Sequence, residues 1–377
     1  MFIDAGIGLI FPVTTLFIHT DLHKSLVTAS YVLLAYSVCM ALGDLVGGFL
    51  FDNKKKKPLM CFAAGNTILS MFFLIFFHFW PVYVFFICWY GLALGILYCA
   101  INAYIAFLQK KDRNIFNNAY WAGNTGMGLA TFISGVLYAQ DVRWVFIAAM
   151  IMFGGVFFLV YKEFDFNEME SSLYRTRRYL RPASNPRISS KKMLPIILIC
   201  LDMAIIWLGY EQWNSNVSIL MTNKGISIEK YSFLFTIGTI VIGIAQPVVV
   251  RIFPYNFEGD KLKVVLGTFL FGLSFVLIIN TGQYLRFIIG MGLAALGESL
   301  ALTTMPSLIN RFANNTDRGI LQSTIGFSGS LGRALGPLFG SYLIGFLGYN
   351  FAFMVMIILH LIIILPVGFI KKKSSYN

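Results

Sequence analysis

Apolar stretches of about twenty residues recur along this chain, separated by short polar breaks. A mostly apolar run of about that length crosses the hydrocarbon core of a bilayer as a helix. Lipid offers a backbone no hydrogen-bond partners, so a spanning segment must satisfy its own polar groups. The runs fall at 1–19, 26–51, 58–78, 82–108, 119–139, 144–161, 193–214, 231–253, 262–280, 284–309, 320–347 and 350–370. The pattern predicts an all-α membrane protein of twelve transmembrane helices. Barrel strands would alternate over segments of about ten residues, and these runs do not.

Charged residues make up only 12% of the chain, and the mean hydropathy is +0.74. A soluble domain carries about 25% charged residues, so soluble-enzyme readings are set aside. The net charge of +12 does not imply nucleic acid, because the basic excess sits in the breaks between runs. The five cysteines all fall in apolar runs, which predicts no structural disulfide. The sequence shows no Cys/His metal spacing, hydrolytic triad or signal-peptide pattern. It also lacks the G-x-x-x-x-G-K-[ST] loop that ATP drive would need. The expectation is no cofactor, with the proton gradient as energy source.

Lysine and arginine divide unevenly between alternate breaks. One set holds 23 of them and the other five, with Arg333 inside a run. The positive-inside rule places the richer set, and with it both termini, in the cytoplasm. This predicts a plasma-membrane protein, expected to act as a monomer within its lipid bilayer. The first run begins at Met1 with Asp4 close behind. Nineteen residues rise only about 28 Å, which reads as a span cut short.

The break at 162–192 is the one long break, and it is basic. It predicts an N-terminal six-helix half at 1–161, a cytoplasmic linker at 162–192 lying along anionic headgroups, and a C-terminal half at 193–377. The halves echo each other. The fifth run carries N-T-G-M-G-L-A-T-F-I-S-G from Asn124, and the eleventh carries S-L-G-R-A-L-G-P-L-F-G-S from Ser330. Aligned, Gly126 meets Gly332, Ala130 meets Gly336 and Thr131 meets Pro337. Small residues at helical spacing, with a proline in the second copy, read as helix-packing stripes. Internal symmetry of this kind marks transporters built from repeats.

The break after the second run reads G-G-F-L-F-D-N-K-K-K-K-P-L, from Gly47 to Leu59. It resembles the G-x-L-a-D-r-x-G-r-k signature of the major facilitator superfamily. Gly48, Leu50, Asp52, Lys56 and Lys57 fill matching positions. Asn53 and Lys55 depart from the usual arginine and glycine. The resemblance implies the major facilitator fold over essentially the whole chain. It makes Gly48, Asp52, Lys56 and Lys57, with the nearby Asp44, a gating motif at the cytoplasmic edge, where Gly48 lets helices approach. The eleventh-run G-x-x-x-G-P, Gly332 to Pro337, resembles the antiporter motif of twelve-span bacterial drug/proton exchangers. The fifth run has Ala130-Thr131 where that motif usually has Gly-Pro. The fourth run has Ile87 and Cys88 where many of those exchangers have an arginine.

Carboxylates inside a membrane are costly and mark function by default. Five lie within runs: Asp4, Asp44, Asp202, Glu211 and Glu298. Glu298 is expected about 21 Å along its helix, near the bilayer middle, among Gly290, Gly292 and Gly297. Desolvation there suits exchange of a proton between the two sides, and Glu298 with Asp202 is the expected proton-coupling pair. The competing reading of Glu298 is a structural hydrogen bond to another helix. Glu211, with Tyr210, Gln212 and Trp213, is expected to line an outer cavity and bind substrate. An interfacial aromatic cap is the alternative. Trp121 is a further pocket candidate. Asp202 and Glu211 are nine residues apart and fall on different helix faces.

The resulting reading is a major-facilitator transporter that alternates access and exports amphipathic drugs or metabolites against protons. The runner-up is a symporter or facilitator of one small solute, such as a sugar or an amino-acid derivative. A non-transporting receptor on the same fold is the third reading.

Overall fold

The apolar runs coil into helices, the form in which each backbone N–H and C=O is satisfied within its own segment. The structure, a computed structural model, describes residues 1–53, 55–108, 115–164, 190–312 and 318–371. Six helices come first: α1 (Phe2–Thr20), α2 (Leu26–Asn53), α3 (Lys56–Phe76), α4 (Val82–Leu108), α5 (Ile115–Tyr138) and α6 (Val142–Lys162). Then follow α7 (Ser190–Glu211), a π-helical turn (Gln212–Asn216) and α8 (Val217–Asn223). The chain continues through α9 (Ile228–Ile252), α10 (Phe257–Ile278), α11 (Tyr284–Ala301), α12 (Met305–Asn310) and α13 (Arg318–Gly368). No strand occurs among the described residues. Most of the 162–192 break, and the side chain of Asp52, lie outside them.

Ten segments among the described residues are long and apolar enough to cross a membrane, against the twelve expected. Two features account for the difference. The last segment, Thr324–Gly368, counts once although its 45 residues would rise about 68 Å. It turns at Gly348, whose φ of 81° and ψ of 171° only glycine adopts freely. Helix α5 is not among the ten, because Asn117, Asn118, Asn124 and its glycines dilute its hydropathy. The tenth run also differs from expectation. It is not one continuous helix: α11 stops at Ala301, and α12 restarts with Pro306 in its first turn, where a missing N–H costs little.

The described residues form two compact units. Unit 1 contains α1–α6 and the start of α9, Ser227–Thr236; unit 2 contains α7, α8 and the chain from Ile237 onward. Within unit 1, α2 and α4 meet through two facing small-residue stripes, Gly43/Gly47 and Gly91/Gly95. A Cβ on Gly43 would stand 2.2 Å from the Leu92 carbonyl oxygen, and one on Gly95 2.1 Å from that of Met40. Backbone lies against backbone there, so nothing can yield. Gly48 behaves differently from its expected role. A Cβ there would meet only Cys99 Sγ, at an ordinary 3.7 Å, so the close approach belongs to Gly47. Helix α1 packs on α5 in the same manner, with Gly126 against Met1 and Gly8 against Met127. The Thr131 hydroxyl lies 2.9 Å from the Met127 carbonyl and 3.2 Å from that of Gly8. At the start of α6, Asp141 caps the Arg143 N–H. The Arg143 guanidinium hydrogen-bonds that carboxyl and holds it below the ordinary aspartate range.

Unit 2 repeats the device. Gly267 of α10 and Gly297 of α11 interlock, each Cβ position 2.7 Å from the other's carbonyl oxygen. On α13, Gly332 lies against the Ala204 carbonyl of α7 and Gly336 against Leu208 and Glu211, with Pro337 buried beside them. The stripe of the fifth run therefore packs on the first helix, and that of the eleventh on the seventh. At the start of α10, Asp260 is fully buried between two cations. Lys263 Nζ stands 2.8 Å from one carboxylate oxygen, and Arg311 reaches the other at 2.6 Å. This ties α10 to the residue following α12.

Two stability outcomes follow. Gly95→Val should destabilise purified protein by about 1–3 kcal/mol through overpacking, while Gly48→Ala leaves the melting temperature nearly unchanged. Asp260→Asn strands two cations at a buried site and should cost about 3 kcal/mol. Melting curves in one detergent would check both, and an unchanged midpoint for Gly95→Val or Asp260→Asn would contradict the packing described.

Candidate functional site

The helix phases of unit 2 sort its intramembrane polar groups onto different contacts. Asp202, on α7, is fully buried and turned toward α10. The Thr268 hydroxyl lies 3.0 and 3.1 Å from its two oxygens and 2.9 Å from the Val264 carbonyl. One hydroxyl proton can serve only one of the three at a time. No cation stands within ion-pair distance of Asp202 among the described residues. A buried carboxylate in that setting is chemically fit to carry a proton.

Glu211 ends α7 nine residues later and faces α13, so the two acids do occupy different faces. It is buried and accepts a hydrogen bond from Asn214 at 3.3 Å. Its successor starts the π-helical turn, an extra-residue bulge of a kind frequent at functional sites. Gln212 donates at 2.8 Å to the carbonyls of Leu208 and Gly336, and Asn216 donates to Gln212 Oε1 at 2.7 Å. Ser215 and Ser218 close further bonds to the backbone within the turn. A Cβ on Gly340 would fall 1.7 Å from Gln212 Oε1, so this amide chain exists only because α13 presents glycine there.

Gln212 and Trp213 do not line an open cavity in this conformation. Both are buried, and the Trp213 ring lies against Gly290, 6.2 Å from the Phe275 ring. Tyr210 is half-buried, with its ring 5.3 Å from that of Trp207. Trp207 in turn carries the Arg333 guanidinium 4.3 Å from its ring centroid. The Arg333 charge also acts on Glu211.

Glu298 lies three residues before the end of α11, beside the break that precedes α12. It is 9% exposed, and its carboxyl has no hydrogen-bond partner or nearby charge among the described residues. Among the described residues there is thus no inter-helix bond of the kind the structural reading of Glu298 needs. Of its neighbours, Gly290 and Gly297 serve close packing, and Gly292 has open space around it.

In unit 1, α1, α2 and α4 line a small apolar recess. Ile7, Ile10, Phe11, Leu33, Tyr36 and Ile87 form its walls, and Thr14 is a polar group in it. Trp121 is partly exposed on α5 and does not line this recess. Asp44 is half-buried on α2 between the two contact glycines. Lys56 is buried, with Nζ on the Phe51 carbonyl, and Lys57 lies over the Tyr161 ring. Lys56 therefore secures the junction of α2 and α3, and Lys57 reaches from α3 to α6.

Sequence reasoning missed His360. It is fully buried in α13, stacked on Phe271 and wedged against Gly209 and Gly272. Its Nδ1 lies 2.7 Å from the Met356 carbonyl, so Nδ1 carries the proton, and Nε2 has no partner among the described residues. Its one sequence signal is a single polar residue inside an otherwise apolar run. The π-helical turn had a signal too, the polar density of Gln212–Asn216, which a regular helix would expose to lipid.

The family model for the Major Facilitator Superfamily matches residues 1–213 and 193–376. A Bacillus subtilis (strain 168) protein, the uncharacterised MFS-type transporter YttB, is 29% identical over 365 residues, covering 96% of this chain and 91% of that protein. Among solved structures, a POT family transporter in complex with 5-aminolevulinic acid superposes with a TM-score of 0.77 at 14% identity, covering 98% of this chain and 95% of that one. The human organic anion transporter MFSD10 (TETRAN) gives a TM-score of 0.67 at 13% identity, with coverages of 97% and 96%. At such identities the likeness is one of fold.

The amide chain offers a direct check. Gly340→Leu should lower the melting temperature and abolish transport together, whereas Gly345→Ala, where a Cβ meets open space, leaves both intact. Normal transport by Gly340→Leu would mean that the Gln212–Asn216 turn is dispensable.

Proposed function

The chain belongs to the major facilitator superfamily and is a multi-pass membrane transporter, not an enzyme, and we propose that it exports amphipathic drugs or metabolites in exchange for protons. Counting α5 as a span and dividing α13 at Gly348 gives twelve spans in two halves of six. Both termini lie in the cytoplasm, the membrane is the plasma membrane, and the protein works as a monomer without a cofactor.

The observation that carries this reading is Glu298, a buried carboxyl with no partner among the described residues. An ionised carboxylate is stable only when water reaches it, and a closed site favours the neutral acid. Opening toward the outside lets Glu298 take a proton, and closing is permitted once the charge is gone. Opening inward lets it release the proton and frees the cycle to load substrate. Each proton moved inward yields about 2.3 kcal/mol per 100 mV of membrane potential, which can drive a solute outward. Asp202, buried beside Thr268, is the second proton-carrying group in this scheme. Tyr210, half-buried beside Glu211, offers aromatic contact to the solute.

A second reading is favoured by the ligands named for the fold neighbours, a thioalcohol-conjugated peptide and 5-aminolevulinic acid. It is a carrier for one small solute, an amino-acid derivative or a sugar, moved with or without protons.

Inverted vesicles energised to an acidic interior separate these readings. Addition of several unrelated amphipathic compounds should release lumenal protons, and Glu298→Gln, inserted at the wild-type level, should abolish the release. Undiminished proton release in Glu298→Gln would remove Glu298 from the mechanism. Silence toward the whole panel, with saturable uptake of one solute, would favour the specific carrier.

A further inference from the structure

Helix α13 carries three distinct strips along its first limb, residues 318–347. At 3.6 residues per turn each residue advances about 100°. Gly329, Gly332, Gly336 and Gly340 share one strip and lie against α7. Phe327, Leu331, Leu335, Phe339 and Phe346 form a second, exposed and wholly apolar, suited to lipid. Gly326, Ser330, Arg333 and Pro337 fall within about 60° of one another on a third. Gly326, Ser330 and Arg333 on that strip are exposed too, but polar or small. Arg333 lies fifteen residues from one end of the limb and fourteen from the other, about 21–22 Å along the axis, near mid-membrane.

A guanidinium at that depth does not face hydrocarbon; such charges turn to the bundle interior or to a water-filled path. The strips agree, since Arg333 is off the apolar face. Its geometry is that of a receptor for an anion. The guanidinium lies over the Trp207 ring at 4.3 Å from the centroid, a stack that uses its flat face. The N–H donors lie along the edge, in a fork that matches the two oxygens of a carboxylate. Ser330 accepts one of these hydrogen bonds at 3.2 Å, which sets the orientation of the plane. Glu211 acts on the charge from a buried position, held by Asn214.

From this arrangement we infer that Arg333, on its Trp207 platform, binds the carboxylate of the transported solute, so that the substrates are amphipathic acids or zwitterions. The inference rests on the transport reading above and narrows its substrate class. Trp207 is a positioning residue here, and Arg333 is the binding group.

The test uses binding alone and does not depend on proton coupling. Full-length protein in nanodiscs is titrated with dansylglycine and with dansylglycinamide, its uncharged match, and fluorescence anisotropy is read. Wild type should hold the carboxylate at least tenfold tighter than the amide. Arg333→Gln should erase that preference by weakening the carboxylate alone, and Arg333→Lys should retain part of it, since the charge stays and the planar fork goes. If Arg333→Gln does not give monodisperse protein, Trp207→Leu reads the same preference, which should fall at least threefold. Glu298→Gln should keep the full preference while losing proton exchange, which separates failure of this assignment from failure of the coupling reading. Equal affinity for both probes in wild type would overturn the assignment. So would no carboxylate binding at millimolar concentration, or a preference that survives in Arg333→Gln or, where that variant fails, in Trp207→Leu.

Discussion

Close backbone approach through glycine is the constraint on which both units depend. In a bilayer, lipid tails are as apolar as leucine, so no hydrophobic force pulls spanning helices together. What remains is dispersion and hydrogen bonding at short range, and both fall away if side chains hold the backbones apart. The contacts of α2 with α4, α1 with α5, α10 with α11 and α7 with α13 all place glycine where a Cβ would overlap the facing chain. Bulky side chains then fill the space beside these contacts, as Phe153, Phe271 and Phe275 do, or face outward, as Phe49 and Phe346 do.

That closeness also shapes the chemistry. The stripe on α13 brings backbone carbonyls within reach of Gln212, and the amide chain through Asn216 satisfies polar groups that lipid would leave stranded. Asp202 gains a hydroxyl from a neighbouring helix, Asp260 gains two cations, and Glu298 gains nothing. Three acids buried within one unit therefore have three different fates. The difference lies in the partners that neighbouring helices present.

Several features were legible before any coordinates. The helical class, the run boundaries to within a few residues, the paired stripes of the fifth and eleventh runs, and the presence of acids inside the runs all follow from hydropathy, spacing and charge. Others were not. The facing stripes Gly43/Gly47 and Gly91/Gly95 stood in plain view, but glycine is frequent in membrane helices, and nothing local says which glycines face which helix. Gly48 was assigned the approach that its neighbour Gly47 makes, a displacement of one residue or about 100° of helix phase. Gln212 and Trp213 looked like cavity residues because their types suit a binding site. The π-helical turn rotates that stretch out of register with the helix before it, so both end in helix contacts.

Sequence alone determined that this chain enters a membrane as a series of helices, because hydropathy and backbone satisfaction are properties of each segment by itself. It also determined that acids stand at several depths, since rise per residue converts position into distance. Tertiary structure decided which acid is paired and which is not, that an arginine lies on an indole away from the lipid face, and which glycines touch. Those outcomes depend on the rotation and pairing of helices distant in sequence, and no single segment encodes the phase of its partner.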